Sequence, residues 1–173
     1  DNGSFKSGEE VTLSYTLEPG YEFDSWSSEE VLVDESNKFI MPANDVTVKA
    51  NARVIVYNIS YYGLEGATLG EGITNPSTYD VTTETITLNK PSKAGYTFAG
   101  WTGTDLDVAE KEVSIAKGST GNREYTATWT ENAPDTYNLI VNKGTGIASV
   151  SESATYTVGQ EVTLSYTLEP GYE

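Results

Sequence analysis

One short phrase constrains the fold of this chain more than any other stretch. It reads Gly20-Tyr21-Glu22-Phe23-Asp24-Ser25-Trp26, then Gly95-Tyr96-Thr97-Phe98-Ala99-Gly100-Trp101, and it opens a third time as Gly171-Tyr172-Glu173. Side chains alternate along a strand, so Tyr and Phe two residues apart share a face. Each complete copy follows a Pro or Gly turn signal. It reads as a strand that enters from a tight turn and buries its aromatic face, and the core of each module is expected on it.

The remaining patterning has period two. Val11, Leu13, Tyr15 and Leu17 alternate with Thr12, Ser14 and Thr16, and Val46, Val48, Ala50 and Ala52 alternate with Thr47, Lys49 and Asn51. Tyr125, Ala127 and Trp129 do the same against Thr126, Thr128 and Thr130. Each set predicts a half-buried strand. Ile86 with Leu88 and Val113 with Ile115 mark further strands, and Gly118 to Gly121 reads as a hairpin connection. Residues 63–78 are rich in Gly, Thr, Asn and Pro and read as a long loop with one helical turn near Pro76. The fold class is mostly β, built as tandem small β-rich modules.

Residues 10–22, from Glu10 to Glu22, recur letter for letter as Glu161 to Glu173, 151 positions later. Thirteen identical positions mark a recent tandem duplication. Upstream the pattern persists, with Gly8 aligned to Gly159 and Phe5 to Tyr156. Arrays of similar modules belong to stalks and multivalent surfaces rather than to single-site enzymes.

Composition narrows the chemistry. There is no Cys and no His, so a disulfide framework, a thiolate zinc site, a cysteine nucleophile and a Ser-His-Asp triad are all excluded. Ten Lys and Arg stand against 26 Asp and Glu, a net charge of −16. Such a surface repels nucleic acid and anionic membrane, and no apolar run approaches the roughly 18–20 residues that insertion requires. No cofactor is expected.

The residues Lys93-Ala94-Gly95-Tyr96-Thr97-Phe98-Ala99-Gly100-Trp101 and the closing Tyr125-Thr126-Ala127-Thr128-Trp129 resemble a Listeria-Bacteroides repeat, the type named after the internalin B-repeat. Gly159-Gln160-Glu161-Val162-Thr163-Leu164, the Pro-Gly-Tyr-Glu-Phe phrase and Met41-Pro42-Ala43-Asn44-Asp45-Val46-Thr47-Val48 resemble its divergent version. The resemblance divides the chain into 1–53 (C-terminal part of a divergent module), 54–130 (Listeria-Bacteroides repeat), a linker at 131–136, and 137–173 (N-terminal part of a second divergent module). It implies a β-grasp-like middle module, α+β with little helix. It also implies an extracellular location on a bacterial cell surface, with roles in adhesion or spacing and no shared catalytic residues.

Candidate sites are few. Trp and Tyr suit sugar stacking, but their regular alternation favours core packing. Tyr61, Tyr62 and Tyr79 lie outside the aromatic phrase and are the surface candidates for a host protein or glycan. Asp105, Asp107 and Glu110 are spaced loosely like a calcium loop, without its glycine pattern, and read as a solvated acidic loop. Lys49, Lys90 and Lys143 are the lysines considered for an isopeptide crosslink, and Asn2 and Asn58 open glycosylation sequons that are coincidental in a bacterial chain. Three functions are expected to compete: a non-enzymatic adhesin or stalk, a carbohydrate- or protein-binding module, and a fibre subunit. In the last, head-to-tail self-association lets residues 137–173 complete the N-terminal half-module of the next chain by strand complementation.

Overall fold

The computed structural model describes residues 3–173, so Asn2 of the first sequon lies outside the described residues. The chain divides into two compact units, Asp1–Thr130 and Glu131–Glu173. Among the described residues every regular element is a strand, as the period-two patterning requires.

The first segment holds β1 (Glu10–Thr12), β2 (Tyr21–Ser27), β3 (Lys38–Ile40) and β4 (Lys49–Val54). β1 pairs antiparallel with β3, setting Val11 opposite Phe39. The expected strand over 11–17 is regular only in β1; beyond it the Leu13 N–H donates to the Asn37 carbonyl (2.8 Å) and Tyr15 stacks on Phe23 at 4.3 Å. β2 pairs antiparallel with β4, and its register slips at one place: Phe23 faces Ala52 and Ser25 faces Asn51. Asp24 is therefore an extra, bulged residue. That one residue reverses the face parity of the strand, so Phe23 and Trp26, three apart, lie on the same side with ring centroids 5.4 Å apart. The Trp26 indole N–H donates to Asn37 Oδ1 at 2.8 Å.

The middle module holds β5 (Tyr57–Tyr62), β6 (Ala67–Thr68), β7 (Thr78–Tyr79), β8 (Ile86–Thr87), β9 (Ser92–Lys93), β10 (Tyr96–Gly103), β11 (Leu106–Glu110), β12 (Ser114–Ile115) and β13 (Arg123–Glu131). Its main sheet runs β6-β9-β10-β13-β5-β7, with β11 paired to β10. At its centre β13 and β5 run parallel, Tyr125 facing Tyr61. Ile59, Tyr79, Leu88, Trp101, Val113, Ile115, Tyr125 and Ala127 form one buried cluster, and Trp101 has no exposed surface at all. In the second aromatic phrase Phe98 and Trp101 also meet, edge to face at 5.5 Å; Gly100 between them takes φ +148°, and the register of β10 against β11 shifts between Trp101 and Gly103.

Three expectations are corrected. Tyr96 is 38% exposed although it shares the Phe98 face, because it opens β10 where only the short β9 flanks it. Its ring is covered by the Lys93 ammonium, 4.7 Å from the centroid. The Gly118–Gly121 stretch does not close a hairpin: β12 pairs with β8, whereas β13 lies between β10 and β5. No helical turn forms near Pro76. The Asn75 side chain instead accepts the Asn89 N–H (2.7 Å) and donates to the Asn89 carbonyl (3.3 Å), and these side-chain bonds to backbone replace a helical ladder.

The first two modules join without a spacer. Ile55 N–H donates to the Gly20 carbonyl at 2.8 Å, and a Cβ placed on Gly20 would lie 2.0 Å from Val81 Cγ1.

The second unit is described by itself. It holds β14 (Thr136–Leu139), β15 (Ile147–Val150), β16 (Ala154–Thr157) and β17 (Tyr166–Leu168). β14 pairs with β16 and β15 with β17, both antiparallel. Tyr137, Ile140, Val158, Leu164 and Tyr166 are each more than half exposed.

Gly100 offers a direct check of the close approach of β10 to β11. A Cβ there would lie 2.9 Å from both the Ala109 carbonyl carbon and the Glu110 nitrogen, in a backbone conformation that L-residues avoid. Gly100→Ala is expected to cost about 2–4 kcal/mol. Urea denaturation followed by tryptophan fluorescence reads this as a lower midpoint, and an unchanged midpoint would show that the strand tolerates a side chain there.

Candidate functional site

The surface tyrosines predicted from sequence do not form one site. On β5 the side chains alternate, so Ile59 and Tyr61 turn inward and Tyr62 outward. Tyr62 is 51% exposed, as a surface candidate should be. Tyr61 is half-buried: its ring packs 5.8 Å from Trp101 and 6.4 Å from Tyr125, and its hydroxyl donates to the Pro76 carbonyl at 2.9 Å. Tyr79 is a correction, being only 4% exposed. It sits opposite Tyr57 on β7, its hydroxyl donates to the Gly121 carbonyl at 2.6 Å, and it accepts from Arg123 Nε at 3.1 Å. Its ring is part of the core and offers no face to a ligand.

Arg123 is the polar residue that sequence reasoning missed. It opens β13, where the alternation Arg123, Tyr125, Ala127 points inward, and its guanidinium ties the Tyr79 hydroxyl to the Asp105 carboxylate. The Tyr79 hydroxyl and Asp105 hold Arg123 more firmly protonated than an ordinary arginine. The signal was its place at the head of an inward-facing alternating run. Asp105, Asp107 and Glu110 do not sit in a loop: Asp105 occupies the two-residue turn between β10 and β11, and the other two lie on β11. Asp105 is engaged by Arg123, and among the described residues no acidic cluster converges as a cation site would require.

Lys90 pairs with Glu112 at the surface, Lys143 Nζ donates to the Ala148 carbonyl at 3.3 Å, and Lys49 is exposed at the start of β4. None of the three is enclosed beside an Asn or Asp in the way an isopeptide bond requires. The aromatic surface around Lys93 is likewise taken: its ammonium lies 4.7 Å from the Tyr96 ring and 5.8 Å from the Trp129 ring. A sugar stacking there would have to displace it.

Burial pushes the Tyr61 hydroxyl up to about 12, with the neighbouring Tyr125 adding to the effect. A phenol whose folded pKa exceeds its unfolded value keeps its proton better when folded. Folding stability is therefore full below about pH 10 and falls as the pH rises toward 12. Tyr61→Phe is expected to flatten this decline while losing about 1 kcal/mol at neutral pH through the Pro76 bond. Denaturant titrations at pH 8, 10 and 11 test it; parallel declines in both proteins would remove Tyr61 from the account.

Residues 1–52 match the family described as the Divergent InlB B-repeat domain, and residues 57–126 match the Listeria-Bacteroides repeat domain. Neither the curated proteins nor the solved structures yield a match. Residues 161–173 repeat a stretch that lies inside the first matched segment. Such repeats are generally non-enzymatic. The chain thus carries, in tandem, segments matched by two repeat families typical of bacterial surface proteins.

Proposed function

We propose that this chain is a non-enzymatic, extracellular repeat region of a bacterial adhesin or surface stalk, which spaces or multiplies binding elements. The observation that carries the reading is duplication without a shared pocket: thirteen residues recur unchanged 151 positions apart, and the middle module fills its interior with its own Trp101, Tyr125 and Leu88. Repetition serves length and valency, because each added unit extends the array or adds a weak site at high effective concentration. The Gly20–Val81 contact and the Ile55–Gly20 hydrogen bond support stiffness between the first two modules. The net charge of −16 supports solubility and self-repulsion along an extended chain and speaks against nucleic-acid partners. Among the described residues no helix is long and apolar enough to cross a membrane. Of the three candidate tyrosines, Tyr62 is the one left to a host-protein or glycan site, since Tyr79 is buried and the Tyr61 hydroxyl is bonded to Pro76.

Small-angle scattering in dilute solution tests the spacer reading. Chains carrying one and two 151-residue units should differ in maximum dimension by a constant increment per unit. A compact particle whose length does not grow would sink the stalk. Val81→Ala, which removes the side chain that faces Gly20, should leave each module folded yet loosen their joint, seen as a broader distance distribution; an unchanged distribution would mean that the contact does not stiffen the array.

A further inference from the structure

The middle module begins and ends on neighbouring strands. Its first strand, β5, and its last, β13, lie side by side at the centre of the main sheet. They run parallel, with Arg123 opposite Ile59, Glu124 opposite Ser60, Tyr125 opposite Tyr61 and Thr126 opposite Tyr62. By that register Glu131 lies about ten residue levels beyond Tyr57, roughly 33 Å along the strands at about 3.3 Å per residue, and only about 4.8 Å to the side.

Tension that enters at Tyr57 and leaves at Glu131 is therefore directed almost along the strands. It draws β5 toward its own N-terminus and β13 toward its own C-terminus, so the two must slide past each other. The bonds of a parallel ladder are evenly spaced, and sliding loads them together. Had the two strands been antiparallel, the loaded ends would meet at one end of the ladder, and its bonds would open one at a time.

The surroundings of β5 resist the slide. Where tension enters, the Asn58 N–H donates to Asn122 Oδ1 at 2.9 Å, just ahead of β13. On its other edge β5 is held by β7, with Tyr57 opposite Tyr79, and the Ile59 N–H donates to the Ser77 carbonyl at 2.8 Å. Ile59 is buried, and Tyr61 packs against Trp101 and Tyr125. A slip of one residue would exchange the faces of β5 and turn both side chains out of the core. β13 is held on its far edge by β10, where the Thr104 N–H donates to the Glu124 carbonyl at 2.9 Å.

We infer that the β5–β13 pair is a shear clamp, by which the middle module bears tension between its two ends. The clamp is a property of the module, and its use in carrying load rests on the stalk reading. Scattering measures reach and pulling measures force, so either reading can fail without the other.

Single-molecule pulling on the whole chain tests the clamp, because a chain without cysteine accepts handles at chosen pairs of residues. Val56, Thr120 and Glu131 are exposed and serve as attachment points. Handles on Val56→Cys with Glu131→Cys load β5 and β13 in shear. Handles on Val56→Cys with Thr120→Cys load the same ladder from the end where Asn58 meets Asn122, and peel it. Forced opening follows the unfolding barrier of the loaded route, so two pairs on one fold isolate the geometry. At one pulling speed the shear pair is expected to yield at a force at least about twofold higher, since four register pairs share the load in one case and take it in turn in the other. The shear pair should open in one step on the order of 200 Å, the extended length of residues 56–131 less their folded separation. Equal forces in the two pairs, or a shear pair that yields in a series of small steps, would overturn the inference.

Discussion

The structure depends on bringing the Phe and Trp rings of each aromatic strand onto one side. A regular strand sends residues three apart to opposite faces, so Phe-x-x-Trp would place one ring in water. Asp24 in β2 is the residue that changes the parity, and in β10 the backbone between the two rings takes a positive φ at Gly100. In both strands the two rings come together, at 5.4 Å and 5.5 Å. The ring pair itself contributes only about 0.5–1.5 kcal/mol beyond its burial. Its larger effect is positional, because Trp101 at the centre of the sheet then meets Tyr61, while Phe98 reaches on to Trp129. Bulges are costly in pairing and are kept where they aim a side chain.

The two tryptophans at that position are treated differently by their modules. Trp26 is half-buried at a sheet edge and gives its indole N–H to Asn37, whereas Trp101 is fully enclosed and its Nε1 has no acceptor. An orphaned buried donor costs about 1–3 kcal/mol. The middle module tolerates this because the rest of the Trp101 surface is in apolar contact, within a cluster that the small first segment cannot match. The same phrase is thus a true core in one module and a sheet-edge staple in the other.

This explains how far the sequence was legible. Period-two alternation identifies strands wherever one face is buried, and it does so for β13. It fails for Leu13 to Leu17, where alternation is present but no strand continues past the Leu13 bond to Asn37, so the stretch stays irregular while Tyr15 still packs. It fails for Tyr96 because period reports the face and not the distance from the centre of the sheet. Tyr79 reads as a surface residue in sequence because it lies outside the aromatic phrase; the short β7 draws it inward, and Arg123, far along the chain, satisfies its hydroxyl. Such long-range polar partners leave no local signature. Arg123 is visible in sequence only as a charge at the head of an inward-facing run.

The repeat adds information of a kind that patterning lacks. Identical residues set in two surroundings act as an internal control, because propensity, charge and side-chain volume are the same in both. Every difference between them must come from what lies opposite. Val11 has Phe39 opposite it and forms a strand, while Val162 has no such partner and does not. Residues 166–168 have β15 beside them and form a strand, while residues 15–17 do not. Strand formation in these modules is therefore decided by pairing and cover rather than by local sequence. The exposure of Leu164 and Tyr166 therefore reports what lies opposite them and not a weaker strand-forming tendency of their own residues.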